Sequence, residues 1–228
     1  MTVGGRSGQQ PATDAGRPGR RQAAILAGHR GDVAGARAAL ADPDPEVRTA
    51  GLGALARLAH LDLTVLAAAL ADPDPRVRRR ACEAAGEAAA QPRTGSGPLA
   101  PETVVGPLVS ALHDRAASVV ETAAWALGEL GHRAGMPAVD GLVVVAGSHL
   151  DPLCREAAIA ALGAIGHDRG LNAVLGGLHD KPAIRRRAAV ALAAFDDPAA
   201  EAGLRRCLAD RDWQVRQVAE VLLDAPPR

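Results

Sequence analysis

The chain has 228 residues, enough to bury a substantial core, and its 26 basic and 26 acidic side chains leave no formal net charge. That balance argues against a dedicated nucleic-acid binder, which carries a global basic footprint. An aromatic content of 1%, with no tyrosine, removes base-stacking platforms and most aromatic binding anchors.

Three cysteines, Cys82, Cys154 and Cys207, are odd in number, far apart and set in apolar helical patterns. They predict buried free thiols in a reducing compartment rather than a disulfide framework or a zinc site. No apolar run reaches the length of a bilayer span, the nearest being residues 141–147. The first twenty residues lack the apolar core of a secretory leader. The expectation is a cytoplasmic protein with no membrane attachment.

Residues 1–18 are rich in Gly, Pro, Arg, Ser and Gln and have no periodicity, which predicts a disordered tail. The remainder, 19–228, reads as one continuous domain. A helix starts near Gly19 or Arg20 and runs through Ala27. It stops at Gly28-His-Arg-Gly31, a phrase echoed at Gly131-His-Arg-Ala-Gly135 and Gly166-His-Asp-Arg-Gly170. Glycine there suits the left-handed cap that ends a helix. This first helix has no partner before it, so it reads as a half-repeat in a capping role.

Six units follow, at about 32–60, 62–90, 102–131, 136–166, 168–195 and 197–224. Each has a first helix (A), a turn carrying an Asp, and a second helix (B). Leu40, Leu70, Leu112, Leu178 and Leu208 stand before the turns, and Asp42-Pro-Asp-Pro45 recurs as Asp72-Pro-Asp-Pro75. A Gly/Pro/Ser-rich stretch at 91–101 interrupts the rhythm as an irregular loop. The B helices align on Val47, Val77, Val119, Cys154, Ile184 and Val215. Eight residues on come Leu55, Ala85, Leu127, Leu162, Leu192 and Leu223, an inward apolar column at helical spacing. Four residues on come the small residues Gly51, Ala81, Ala123, Ala158, Ala188 and Ala219, which predict close helix packing. No unit could bury its face alone, so neighbours must stack.

The words L-x-D-x-D-P-x-V-R followed by A-x-x-A-L-G-x-[LI]-G resemble HEAT repeats of the short, phycobilisome-lyase-like kind, over residues 20–224. The resemblance implies an all-α, right-handed α-solenoid of about six helical hairpins plus the capping helix. It also implies a ladder in which the turn Asp and the B-helix Arg pair within each unit: Asp42 with Arg48, Asp72 with Arg78, Asp151 with Arg155, Asp180 with Arg185, Asp210 with Arg216. Unit three has Asp114, but Val120 stands where its arginine should be. The ladder is therefore expected to break beside the 91–101 loop, with a change of curvature between units two and three.

Seven histidines fall after B helices or at the ends of A helices, where a partial positive charge is favoured. Spread along a rod, they cannot converge on one ion. No nucleophile elbow, Walker loop, dinucleotide fingerprint or HExxH is present, so no cofactor, metal or catalytic constellation is expected.

The candidate recognition cluster lies on the B helices of units two and three. Glu121, Trp125 and Glu129 share one helix face. In the aligned columns Glu83 is level with Trp125 and Glu87 with Glu129, and Arg79 and Arg80 precede them. On a concave surface lined by B helices, the four glutamates and Trp125 could hold a basic segment of a protein or peptide partner, Trp125 adding a cation–π contact, with Arg79 and Arg80 completing the candidate partner-binding set. The plain alternative is a solvated helix face with a packing tryptophan. Arg78-Arg79-Arg80 and Arg185-Arg186-Arg187 each commit one arginine to the ladder; the others could fix an acidic partner or simply face water. Trp213 replaces a turn proline in the last unit and is expected to cover the end of the core.

The expected function is a non-enzymatic protein-interaction scaffold. Two enzymatic alternatives are weighed: the resemblance allows a lyase-like subunit that attaches a bilin, and Trp125 with Glu129 superficially match a HEAT-like DNA glycosylase, against charge neutrality and aromatic poverty.

Overall fold

The structure, a computed structural model, describes residues 16–90 and 99–224. Among the described residues there are thirteen α-helices and no strand. Helix α1 (Arg17–Arg30) caps the N-terminal end. The hairpins follow as α2 (Val33–Ala39) with α3 (Pro45–Arg57), α4 (Leu63–Leu70) with α5 (Pro75–Ala90), and α6 (Pro101–Ala111) with α7 (Ala117–Leu130). Then come α8 (Gly135–Ser148) with α9 (Pro152–Ile165), α10 (Leu171–Gly177) with α11 (Pro182–Leu192), and α12 (Pro198–Cys207) with α13 (Trp213–Leu223). Each B helix packs on the B helices before and after it, from α1 through α13, and A helices from α4 onward stack in a parallel row. The result is an all-α solenoid of two layers.

Arg17 and Pro18, expected in the tail, belong to α1; proline in a first turn withholds an N–H that had no partner anyway. The rest of the expected tail and the 91–98 part of the loop lie outside the described residues. Leu99 is buried, and Pro101 already opens α6.

The core runs between the layers. The aligned column from Val47 to Val215 is buried throughout, as is the column eight residues on, except that Leu223 is half-buried on the last helix. Trp213, expected to cover this end, stands at the first position of α13 and stays largely exposed, at 61%.

The Asp-Pro-Asp-Pro turns have a fixed grammar. Asp42 Oδ1 accepts the Asp44 N–H at 2.9 Å, and Asp44 Oδ1 accepts the Glu46 N–H at 2.9 Å, capping α3. Asp72 with Asp74 and Asp210 with Asp212 repeat it. The first Asp of each turn still has an oxygen to offer, and an arginine takes it.

That arginine comes from the preceding unit, which corrects the within-unit pairing. Arg48 donates through Nε and Nη2 to Asp72, both at 2.7 Å. Arg78 donates likewise to Asp114 (2.7 and 2.9 Å), Arg155 to Asp180 (2.7 and 2.8 Å) and Arg185 to Asp210 (2.8 Å twice). Arg20 of the capping helix reaches Asp42 at 2.9 Å. The third guanidinium nitrogen explains the direction: Nη1 is held by the carbonyls of the arginine's own turn, at 3.0 Å from Asp42 O for Arg48 and 2.8 Å from Asp210 O for Arg216. With one prong on its own turn, the fork opens only toward the next unit.

Asp151 is no rung at all. It caps α9 by accepting the Leu153 N–H at 2.9 Å. Counting back from Arg155, the rung position is His149, whose Nδ1 accepts the Asp151 N–H at 3.1 Å. The residue that should reach it, Val120, is fully buried. Arg78–Asp114 spans the step from unit two to unit three, so the missing rung lies between units three and four instead.

The ladder carboxyls are acidified. Arg78 holds Asp114, Arg155 holds Asp180 and Arg185 holds Asp210 below the usual carboxylate range. At Asp72 burial pushes upward, but the Arg48 hydrogen bonds and the Asp74 N–H outweigh it and the net shift is down. At Asp42 the Asp44 N–H leads, with Arg20 supporting it.

The ladder geometry makes its rungs unequal to its caps. Arg78 is only 6% exposed, so Asp114→Ala strands a buried guanidinium and should cost about 3–5 kcal/mol in chemical denaturation; Asp151→Ala removes only a cap, at about 1 kcal/mol. Equal costs would refute the assignment. Because the folded-state carboxyl values are lowered, their stabilisation is complete above the unfolded value of about 4 and is lost as pH falls through the folded values. The thermal midpoint should therefore hold level from about pH 7 to about pH 5 and drop below about pH 4, less steeply in Asp114→Ala.

Candidate interaction groove

Successive B helices approach backbone to backbone. A Cβ added to Gly86 would stand 2.9 Å from Ala126 Cα, one on Gly128 3.1 Å from Ala161 Cα, and one on Gly163 2.9 Å from Ala191 Cα. These glycines lie nine residues after the aligned Val/Cys column. The small column singled out four residues after it does a different job: Gly51 faces Ala36 O and Ala39 Cβ on the A helix of its own unit.

Helices this close drive their long side chains to the open side, where α5, α7 and α9 enclose a groove of about 550 Å³. Arg79 and Glu83 of α5 form one wall. Glu121, Trp125 and Glu129 of α7 stand at the centre. Ala157, Ala160, Ala161 and Ala164 make a smooth floor on α9, flanked by Leu153 and Glu156, with Arg187 of α11 closing the far side. Trp125 is 40% exposed; its ring lies over Gly86, 3.3 Å from where a Cβ would be. One part of the indole is thus packed and the rest faces the groove. Leu153 is 54% exposed.

Five of the seven predicted residues meet here: Arg79, Glu83, Glu121, Trp125 and Glu129. Arg80 and Glu87 do not line the groove. Arg80 turns along α5 to hold Glu83 at 3.1 Å and Glu87 at 3.3 Å. Arg187 pairs with Glu156 at 3.6 Å, and Arg186 donates to Gln214. Among the described residues Glu121 and Glu129 make no ion pair. Sequence reading missed the alanine floor, Leu153 and Glu156, and named Arg187 only as an arginine that could fix an acidic partner or face water. The signal was present, since Ala157, Ala160 and Ala164 occupy the columns of Thr122, Trp125 and Glu129.

The cysteines are buried and free. Burial pushes the Cys82 thiol up to about 12 and the Cys154 thiol to about 11, and raises Cys207 as well. Thiols this weakly acidic are poor nucleophiles at neutral pH. The Cys154 thiol donates to Ala117 O at 3.2 Å. Among the described residues, no three His, Cys, Asp or Glu side chains gather to hold an ion, and no helix is long and apolar enough to cross a membrane.

Stacked helical hairpins joined by a carboxylate–guanidinium ladder define an α-solenoid repeat protein. The family model for HEAT repeats matches residues 63–144 and 139–224, so the chain belongs to the HEAT-repeat family. No curated protein matches it. Among solved structures, an engineered protein is similar at a TM-score of 0.61 and 21% identity, over 85% of this chain and 97% of that one. A designed armadillo repeat protein in complex with the peptide (KR)4 is similar at 0.60 and 17%, over 83% and 97%. The complex of CpcE and CpcF of phycocyanin lyase from Nostoc sp. is similar at 0.54 and 23%, over 98% and 80%. At these identities the likeness is one of fold.

Glycine is a poor helix former, so Gly86→Ala would gain about 1 kcal/mol from propensity alone. Against Ala126 it should instead lose about 1–3 kcal/mol by overpacking and shift the Trp125 emission. Gly147→Ala, where an added Cβ meets nothing within 4 Å, should be neutral or stabilising. A stabilised Gly86→Ala would refute the close approach.

Proposed function

We propose that the protein is a non-enzymatic scaffold that holds an extended peptide segment of a protein partner along a concave face formed by its B helices. A basic side chain of that segment lies over Trp125 between Glu121 and Glu129. One observation carries this reading: two glutamates without an ion pair among the described residues flank a half-exposed indole above a floor of alanines. A lysine or arginine stem would cover the indole while its charge meets the carboxylates. Leu153 offers an apolar contact beside it. Buried, protonated thiols support a role without nucleophilic catalysis and a reducing, cytoplasmic setting.

Four glutamates against two arginines line the groove. That excess disfavours the phosphates of nucleic acid and the propionate carboxylates of a bilin alike. A fluorescein-labelled (Lys-Arg)4 peptide is the direct probe. Wild-type protein should bind it, more weakly as salt rises. Trp125→Ala/Glu129→Lys should reduce affinity at least about tenfold with the fold unchanged by circular dichroism. Absence of binding, or identical binding by both forms, would overturn the reading.

A further inference from the structure

Arg79 lines two cavities. Besides the groove, it lines a cavity of about 390 Å³ between α1, α3 and α5, together with Arg21, Arg57, Arg76, Arg80 and a single carboxylate, Glu46. Glu46 is divided between Arg76 at 3.4 Å and Arg21 at 3.9 Å. Arg76 is also held by Asp74 at 2.9 Å, and Arg80 by Glu83 and Glu87. Arg57 and Arg79 are exposed and make no ion pair among the described residues. Arg21, Arg76 and Arg80 are thus drawn on by Glu46, Asp74, Glu83 and Glu87, which leaves Arg57 and Arg79 as the cavity's cations without an ion pair among the described residues. Among the side chains that line the two cavities, those without an ion pair among the described residues are sorted along the B helices: Arg57 on α3 and Arg79 on α5, Glu121 and Glu129 on α7.

We infer that the arginine cavity is a second subsite of the same groove, which takes carboxylate side chains of an acidic stretch in the same partner segment. This rests on the proposed function. The partner segment is then bipolar, basic over Trp125 and acidic over Arg57 and Arg79. Guanidinium forks suit carboxylates geometrically as well as electrostatically. Arg79, common to both cavities, makes the path continuous. The two centres lie about two helix spacings apart, on the order of 20 Å at 8–10 Å each. An extended chain covers that in about six residues.

The test uses labelled peptides on the full chain: Lys-Arg and Glu blocks separated by about six residues, in both orders, beside each block alone. At least one bipolar order should bind about tenfold or more tightly than the basic block alone. Arg57→Glu, at an exposed position that lines only the arginine cavity, should remove most of that gain while leaving binding of the basic block equal or stronger. Bipolar peptides no tighter than the basic block, a gain that survives the charge reversal, or duplex DNA outcompeting the acidic block would overturn the inference. Loss of basic-block binding with the acidic block still held by the arginines would sink the Trp125 reading and leave the arginine subsite standing.

Discussion

At every step but the one from unit three to unit four, a repeat is tied to the next by an arginine gripped at both ends. Nη1 is fixed to the carbonyls of its own turn, so the guanidinium plane is oriented before it meets the next unit's carboxylate. That carboxylate is oriented in turn by an N–H of its own turn. Both partners are preorganised and largely buried, which is where a bidentate pair gains from low dielectric without losing much side-chain entropy. The pair sets the distance and rotation from one unit to the next, and a solenoid's shape is the accumulation of such steps. The inward columns supply burial; the ladder supplies register.

The ladder fails at one step, and both halves of the rung are replaced together. Replacing one half alone would strand a charge. An aspartate in the place of His149 would face the apolar Val120, and an arginine in the place of Val120 would have no carboxylate to grip. Valine opposite a histidine that braces its own turn leaves no buried charge unpaired. The step from α7 to α9 is then held by apolar contact, by the Gly128–Ala161 approach and by the Cys154 thiol on Ala117 O. The same two helices carry Trp125, Glu121, Glu129 and the alanine floor. The missing rung and the groove lie on the same pair of helices.

The periodicity made the fold readable: unit boundaries fall within a few residues of the helices, and the valine and leucine columns are the core. The direction of the ladder was not readable, because the nearness of Asp42 to its own arginine in sequence says nothing of Arg20. Register by spacing also misassigned Asp151, which looks like a rung until it is counted from Arg155 rather than from the proline. Helix stops were legible where glycine spells them, as at Gly166; in unit one Ala59 adopts the same left-handed backbone, φ 57°, at a cost of roughly 1–2 kcal/mol. The site was half legible. Glu121, Trp125 and Glu129 follow from helical spacing on one element, whereas α9's alanines look like ordinary helix filler until a neighbouring helix makes them a floor.

Small residues and charge placement are two sides of one constraint. Bringing B helices into backbone contact requires Gly86, Gly128 and Gly163, and the space so closed is lost to any side chain on that line. Whatever is long or charged must then stand on the open face, in a few columns where identity is free to vary from unit to unit. The column of Trp125 reads Gly53, Glu83, Trp125, Ala160, Val190 and Val221 in succession, while the columns beneath barely change. Identity varies from unit to unit where packing does not dictate it, and on the B helices that is the open face from α3 to α13.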